Sequence, residues 1–457
     1  MSHRFLLAAA LCAACLAAAP VASAAEVQTH VTGWTHAPGP RKYDRLDVTK
    51  FGNLRSRNVL ILVPGTNGGR GDFTLDARDI VRQERDIQVW AVDRRSQALE
   101  DTSVFRQALA GTVTPQQMFS YYAGWIADPS IQPHYQPPDA AQLGFAADWG
   151  LKVQLEDVRA VIAAAHRGGA TRVLLGGHSL GASVAVAYAA WDFDGHPGYR
   201  DLNGLVLIDG GLLGSFDSAD LAQARTRLAA IRRQPFLDLL GLGLPWVTGI
   251  LSESAAILAL KEPDAPSVGQ RFSLLPAAFK PPIPVTNEGQ FGFAFDATTS
   301  PKALGLIQVR AGSLGSDGRW VDGEVSPIRR VEETFGQEPG NAVEWFYPAR
   351  LNLDVDAASP LVQNSAAKYL GLRLKDAKRN LAQSDLALYA LQTSLTNGAV
   401  LKGAKKFARL ANTDRYHTKY VDASRTDSHL DPLTAAPERS AFLRTFEPWL
   451  QQVLAED

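Results

Sequence analysis

The chain has 457 residues, of which 46% are hydrophobic and 20% charged, and its formal net charge is -1. These are ordinary globular values, and a chain of this length buries a large core without disulfides or metal. The near-zero charge leaves no electrostatic footprint for nucleic acid or an anionic membrane, and the length admits two or three domains, or one large domain carrying insertions.

The first 24 residues read as a secretory signal peptide. Arg4 supplies a positive start, residues 5–19 are an apolar run of mostly Leu and Ala, and Ala22, Ser23 and Ala24 offer a cleavage point. The run is too short to span a bilayer, and no later stretch is apolar enough to do so. Both cysteines, Cys12 and Cys15, interrupt this run, so the mature chain is expected without cysteine and without a lipid anchor on one. The expected location is secreted or periplasmic.

Residues 26–34 and 44–49 alternate as half-exposed strands do. Residues 58–63 form a continuous aliphatic run that ends in Pro64-Gly65, and residues 87–93 follow as a second buried strand. Residues 96–150 show no strand pattern and are rich in aromatics and proline, which fits an insertion over the top of a sheet. Helical spacing over 153–167, a buried strand at 172–177, a small-residue helix at 180–190 and a buried strand at 205–209 come next. This rhythm predicts an α/β fold, a mainly parallel doubly wound sheet with helices on both faces.

From 211 to 385 the rhythm is lost. Helical pieces such as 220–233 mix with hairpin-like segments at 304–310 and 342–347, which is expected of a large inserted mixed α/β cap. A buried strand at 386–393, a helix at 399–411, a strand at 417–423 and a closing helix at 437–454 complete the pattern. The predicted core is therefore 25–210 with 386–457, the cap 211–385. The cap aromatics, Trp246, Phe291, Phe293, Phe295, Trp320, Trp345, Phe346 and Tyr347, are expected mainly as its own core, with an apolar pocket lining as the alternative.

Gly177-His178-Ser179-Leu180-Gly181 follows a buried strand and opens a helix of small residues. That is the setting of a nucleophile elbow, in which a tight turn needs small flanking residues and presents the serine at the positive end of the helix. A structural Gly-Ser turn is the plainer alternative. His178 occupies the variable position and is expected to point away from the chemistry. No His, Asp or Glu cluster has metal-ligand spacing, so neither metal nor cofactor is expected.

Val63-Pro64-Gly65-Thr66, the elbow and a late His429 together resemble the α/β-hydrolase superfamily, over roughly residues 26–210 and 386–457. The resemblance implies a serine nucleophile, Ser179, and a histidine base, His429, placed after the last strand and before the last helix. The loop in which this superfamily usually carries its acid reads Gln392-Thr393-Ser394-Leu395-Thr396-Asn397-Gly398 here and holds no carboxylate. A variation that resembles pancreatic-type lipases takes the acid from the end of the strand after the elbow helix, which implies Asp209. Asp427 and Asp431 flank the histidine too closely to reach its far ring nitrogen. Backbone N–H groups of Leu180 and of Thr66, with Asn67 next, are implied as the oxyanion hole. The rival reading of the Gly65–Gly69 loop as a phosphate cradle lacks the Lys-Ser/Thr ending.

The expected reaction is hydrolysis of a carboxylic ester through an acyl-enzyme. The substrate would be a small molecule, a lipid or a polyester, with no nucleic-acid partner and no membrane span. Amide, peptide or lactone cleavage by the same residues stays open, as does a non-catalytic binding protein on the same scaffold. Substrate identity and oligomeric state are left undetermined.

Overall fold

A computed structural model describes residues 25–337, 342–413 and 417–455. The expected signal segment, with Cys12 and Cys15, lies outside the described residues. In chain order the sheet domain begins with β1 (Ala25–Thr32), β2 (Arg45–Gly52), β3 (Asn58–Val63), α1 (Thr74–Gln83) and β4 (Gln88–Val92). It continues with α2 (Leu151–Arg167), β5 (Arg172–His178), α3 (Leu180–Ala190), β6 (Gly204–Ile208) and α4 (Leu221–Ile231). The cap contributes α5 (Val247–Lys261), α6 (Asn287–Phe295) and α7 (Ile328–Gly336), and α8 (Ala349–Ala358) follows. The chain closes with β7 (Ala387–Gln392), α9 (Ala399–Leu410), β8 (Thr418–Asp422) and α10 (Ala441–Leu454).

The eight strands form one sheet in the order β1-β2-β4-β3-β5-β6-β7-β8. β1 and β2 pair antiparallel, as do β2 and β4, and every later pairing is parallel. The continuous aliphatic run of β3 is explained by its two buried faces. Val59, Ile61 and Val63 join the cluster under α2 and α3, while Leu60 and Leu62 join the cluster under α1 and α10. The doubly wound α/β sheet expected from the strand-helix rhythm is present, and its strand order and parallel crossovers are those of the α/β-hydrolase fold.

Residues 96–150 fold as short helical turns, and their Phe105, Tyr122 and Tyr135 pack with Trp246 and Trp345 in one cluster above the sheet. The 211–385 stretch, expected as one cap, divides. Leu228 of α4 and Leu351, Leu353 and Val355 of α8 belong to the cluster under α2 and α3. These helices cover one face of the sheet, because their apolar stripes find burial there, and the part above the strand ends is the narrower stretch between them. Residues 304–310, expected as hairpin-like, instead end a 3-10 segment, Lys302–Ile307, after Pro301, and Val309 makes a single bridge to Asp296. The hairpin lies just beyond, pairing Gly312–Leu314 with Trp320–Asp322. Residues 342–347 make a single bridge, Val343 to Gly68, and not a hairpin.

Candidate active site

The site lies above the carboxyl ends of the parallel strands, the usual ligand position in an open α/β sheet. β5 runs into Ser179, whose φ of 55° and ψ of -122° place it in a left-handed conformation that β-carbon-bearing residues avoid. Three contacts hold this strained turn. The Ser179 N–H donates to the Ile208 carbonyl at 2.8 Å. A Cβ on Gly181 would sit 1.9 Å from the Val63 carbonyl oxygen, and one on Gly210 would sit 1.9 Å from that of Ser179. The turn is thus wedged between β3 and β6, and only glycine fits on either side of it.

His429 is carried by the loop between β8 and α10. Its Nδ1 lies 2.6 Å from Asp209 Oδ2, and both side chains are buried. Asp209 follows β6 directly, with a φ of 45°. The loop after β7, empty of carboxylates, supplies donors. The Thr393 N–H donates to Asp209 Oδ1 at 2.8 Å and the Thr393 hydroxyl donates to Oδ2. Burial pushes the Asp209 carboxyl up, but the bonds from His429 and Thr393 outweigh it and hold the group below the ordinary carboxylate range.

Asp427 and Asp431 do not pair with the His429 ring. Asp431 braces the loop, accepting the Ser428 N–H at 2.6 Å, the Arg310 N–H at 2.9 Å and the Ser326 hydroxyl at 2.6 Å. His178, expected to point away from the chemistry, lines the cavity of Ser179 and packs on the His429 loop. Its Nε2–H donates to the His429 carbonyl at 2.8 Å, and the two ring centroids are 4.3 Å apart. Burial pushes its pKa down to about 3, so it stands neutral against the His429 loop.

Ser179, His178 and His429 line one cavity with Gly65, Thr66, Asn67, Asp72 and cap residues that include Phe295, Ile307 and Val343. Thr66 and Asn67 thus face the space beside Ser179. The Leu180 side chain is buried in the core, and its N–H opens α3. Asn67, at a φ of 56°, is tied to the cap. Its carbonyl accepts the Glu344 N–H at 2.8 Å and its Nδ2 donates to the Glu344 carbonyl at 3.1 Å.

Beneath this loop lies Arg94, just beyond β4. Its guanidinium donates to the carbonyls of Pro64, of Gly65 at 2.8 Å and of Gly68 at 3.0 Å, and it pairs with Glu344 Oε2 at 2.8 Å. One buried cation therefore fixes the carbonyls of Pro64, Gly65 and Gly68, while the Gly68 and Gly69 N–H groups donate to the Gly65 and Ala342 carbonyls. The Thr66 hydroxyl is hydrogen-bonded with Tyr347. Asp72 lines the same cavity, and burial holds its carboxyl well above the usual range. Thr393, Arg94 and Glu344 are not marked by any motif. The available signals are weak: a hydroxyl in the otherwise empty acid loop, and the consecutive charges Asp93-Arg94-Arg95 after an apolar strand.

No family model matches the sequence, and no curated protein matches it. Several solved structures are similar to it. A candidate lipase from Sulfolobus solfataricus is 15% identical with a TM-score of 0.46, covering 91% of this chain and 92% of that one. A structure described with carboxylesterases of Nitrososphaera gargenis is 11% identical with a TM-score of 0.39, covering 90% and 96%. An α/β-hydrolase fold protein from Nakamurella multipartita is 12% identical with a TM-score of 0.39, covering 93% and 99%. At these identities the likeness concerns the fold alone. The strand order, the crossovers and a strained serine between β5 and α3 identify the chain as an α/β-hydrolase fold, with resemblance to that superfamily.

Proposed function

We propose that this protein is a serine hydrolase of carboxylic esters in which Ser179, His429 and Asp209 act as nucleophile, base and acid. The observation that carries the reading is the 2.6 Å pairing of His429 Nδ1 with Asp209 beside a strained Ser179 in one cavity. A serine hydroxyl is a weak nucleophile and needs a base that is itself oriented and stabilised when charged.

Ser179 Oγ attacks the ester carbonyl carbon while its proton passes to His429 Nε2. Backbone N–H groups of Leu180 and of the Thr66–Asn67 turn hold the oxyanion. The tetrahedral intermediate collapses, and His429 returns the proton to the departing alkoxide. Water, deprotonated by His429, then attacks the acyl-enzyme, and the carboxylic acid leaves as Ser179 regains its proton. Asp209 keeps Nδ1 protonated and stabilises the imidazolium throughout.

Ser179→Ala is expected to lose hydrolysis of p-nitrophenyl acetate and labelling by a fluorophosphonate, with an unchanged thermal transition. Turnover equal to wild type in that variant overturns the mechanism. Parallel amide and lactone panels decide the bond. Export with cleavage after Ala24 belongs to the same proposal, and mass spectrometry of the protein recovered outside the cytoplasm tests it, with Ala25 as the expected first residue.

A further inference from the structure

A second cavity adjoins the catalytic one. It lies between α5, α6 and the insertion and is open in part to solvent. Phe119, Leu251, Phe272, Phe291 and Leu304 are among the residues that line it, and no charged side chain among the described residues does. Its polar side chains are largely engaged elsewhere. Ser267 Oγ accepts the Gln270 N–H at 3.0 Å, Asn287 is bonded to Val268 and to the Glu262 carbonyl, and Gln290 Nε2 donates to the Phe279 carbonyl. The surface turned to the cavity is mainly apolar, with Gln290 Oε1 and Thr248 Oγ1 as buried polar atoms without a partner among the described residues.

This chamber shares Leu239, Thr248, Ser252, Phe295 and Ile307 with the cavity that holds Ser179. Thr248 Oγ1 stands among these shared residues, buried and without a hydrogen-bond partner among the described residues. An ester with its carbonyl at Ser179 therefore has an apolar chamber next to its reacting end. An acetyl group does not reach into such a space, and an apolar lining with few free polar groups favours an extended apolar ligand.

Resting on the ester-hydrolase reading, we infer that this chamber binds the acyl chain of the substrate, and that the enzyme acts on esters of long-chain fatty acids. The acyl side is assigned because the acyl group stays on Ser179 through both half-reactions. The alcohol must leave before water enters, whereas the acyl chain can stay seated in the chamber until deacylation.

The test measures kcat/KM on p-nitrophenyl acetate, butyrate, octanoate and laurate, and on acetates of short and long alcohols. In wild type, kcat/KM is expected to rise with acyl length by up to about fourfold per methylene, and not with alcohol length. Ala294→Trp, on the chamber wall away from Ser179, is expected to flatten the acyl series while acetate turnover persists. A flat acyl series in wild type, or a rise confined to the alcohol side, overturns the chamber assignment and leaves the hydrolase reading standing. Calorimetric titration of Ser179→Ala with laurate gives a readout without turnover. Binding that is lost on adding Ala294→Trp supports the chamber even if no ester is cleaved, and absence of binding overturns it. Failure of every ester in wild type overturns the hydrolase reading and the ester assignment that rests on it, and the laurate titration then decides the chamber separately.

Discussion

Thr393 donates its backbone N–H to Asp209 Oδ1 at 2.8 Å and its hydroxyl to Oδ2, so the loop that lacks a carboxylate still holds the one its neighbour supplies. β6 and β7 are adjacent parallel strands, with Ile208 paired to Leu391. Moving the acid from the end of one strand to the end of the next shifts it by a single strand spacing, about 5 Å. The vacated loop then becomes a source of donors.

Thr393→Val removes one hydroxyl donor and keeps the N–H. The Asp209 pKa is depressed partly by that hydroxyl, so losing it raises the pKa. The acid limb of the kcat/KM profile is expected to move to higher pH, with turnover down about tenfold. Thr393→Ser should restore both. An acid limb that stays in place shows that the hydroxyl does not tune Asp209.

Asp209→Asn keeps the shape but removes the charge that holds the His429 tautomer. Turnover is expected to fall by about four orders of magnitude, by analogy with the same exchange in a serine-protease triad. The fold should persist, as read by circular dichroism. Near wild-type turnover assigns the acid role to another carboxylate.

Arg94 and Glu344 are both buried and pair at 2.8 Å. Arg94→Met leaves Glu344 uncompensated and frees the Pro64, Gly65 and Gly68 carbonyls. Stability is expected to fall by about 3–5 kcal/mol, measured by urea denaturation. A double change with Glu344→Gln should recover part of that loss, while kcat stays low because the turn carrying Thr66 is no longer clamped. A double variant no more stable than the single one rules out the charge pairing as the cause.

Gly181→Ala places a methyl 1.9 Å from the Val63 carbonyl oxygen, whereas the same change at Gly144 meets nothing within 4 Å. Gly181→Ala is expected to abolish folding or activity and Gly144→Ala to leave both intact. Soluble yield and melting temperature compare them directly.

Glu332 of α7 is buried with neither carboxylate oxygen hydrogen-bonded among the described residues, and burial pushes its pKa up to about 8. The folded state then binds a proton that the unfolded state has released above the ordinary glutamate range. Stability therefore falls as pH rises from that range through about 8, where the folded carboxyl ionises. Relative to wild type, Glu332→Gln is expected to flatten this decline in melting temperature between pH 5 and pH 8. Parallel declines in the two proteins would place the titrating group elsewhere.

The buried runs at 58–63, 172–177 and 205–209, and a glycine-flanked serine between strand and helix, are local patterns. Hydrophobic periodicity and glycine placement are properties of neighbouring residues, so the sheet, its parallel sense and the elbow were legible along the chain. Other relationships join residues far apart in sequence. Asp209 meets Thr393 and His429, Arg94 meets Glu344, and His178 packs on the loop of His429. Each depends on which strand ends lie side by side, and polar contacts between distant residues leave no periodic trace. The cap follows the same division. Its aromatics announced a hydrophobic interior, but the fate of each was decided in three dimensions. Phe291 and Phe295 packed into one buried cluster at the edge of the chamber, while Trp246 and Trp345 packed into another above the sheet, because only the folded chain determines which apolar surfaces meet.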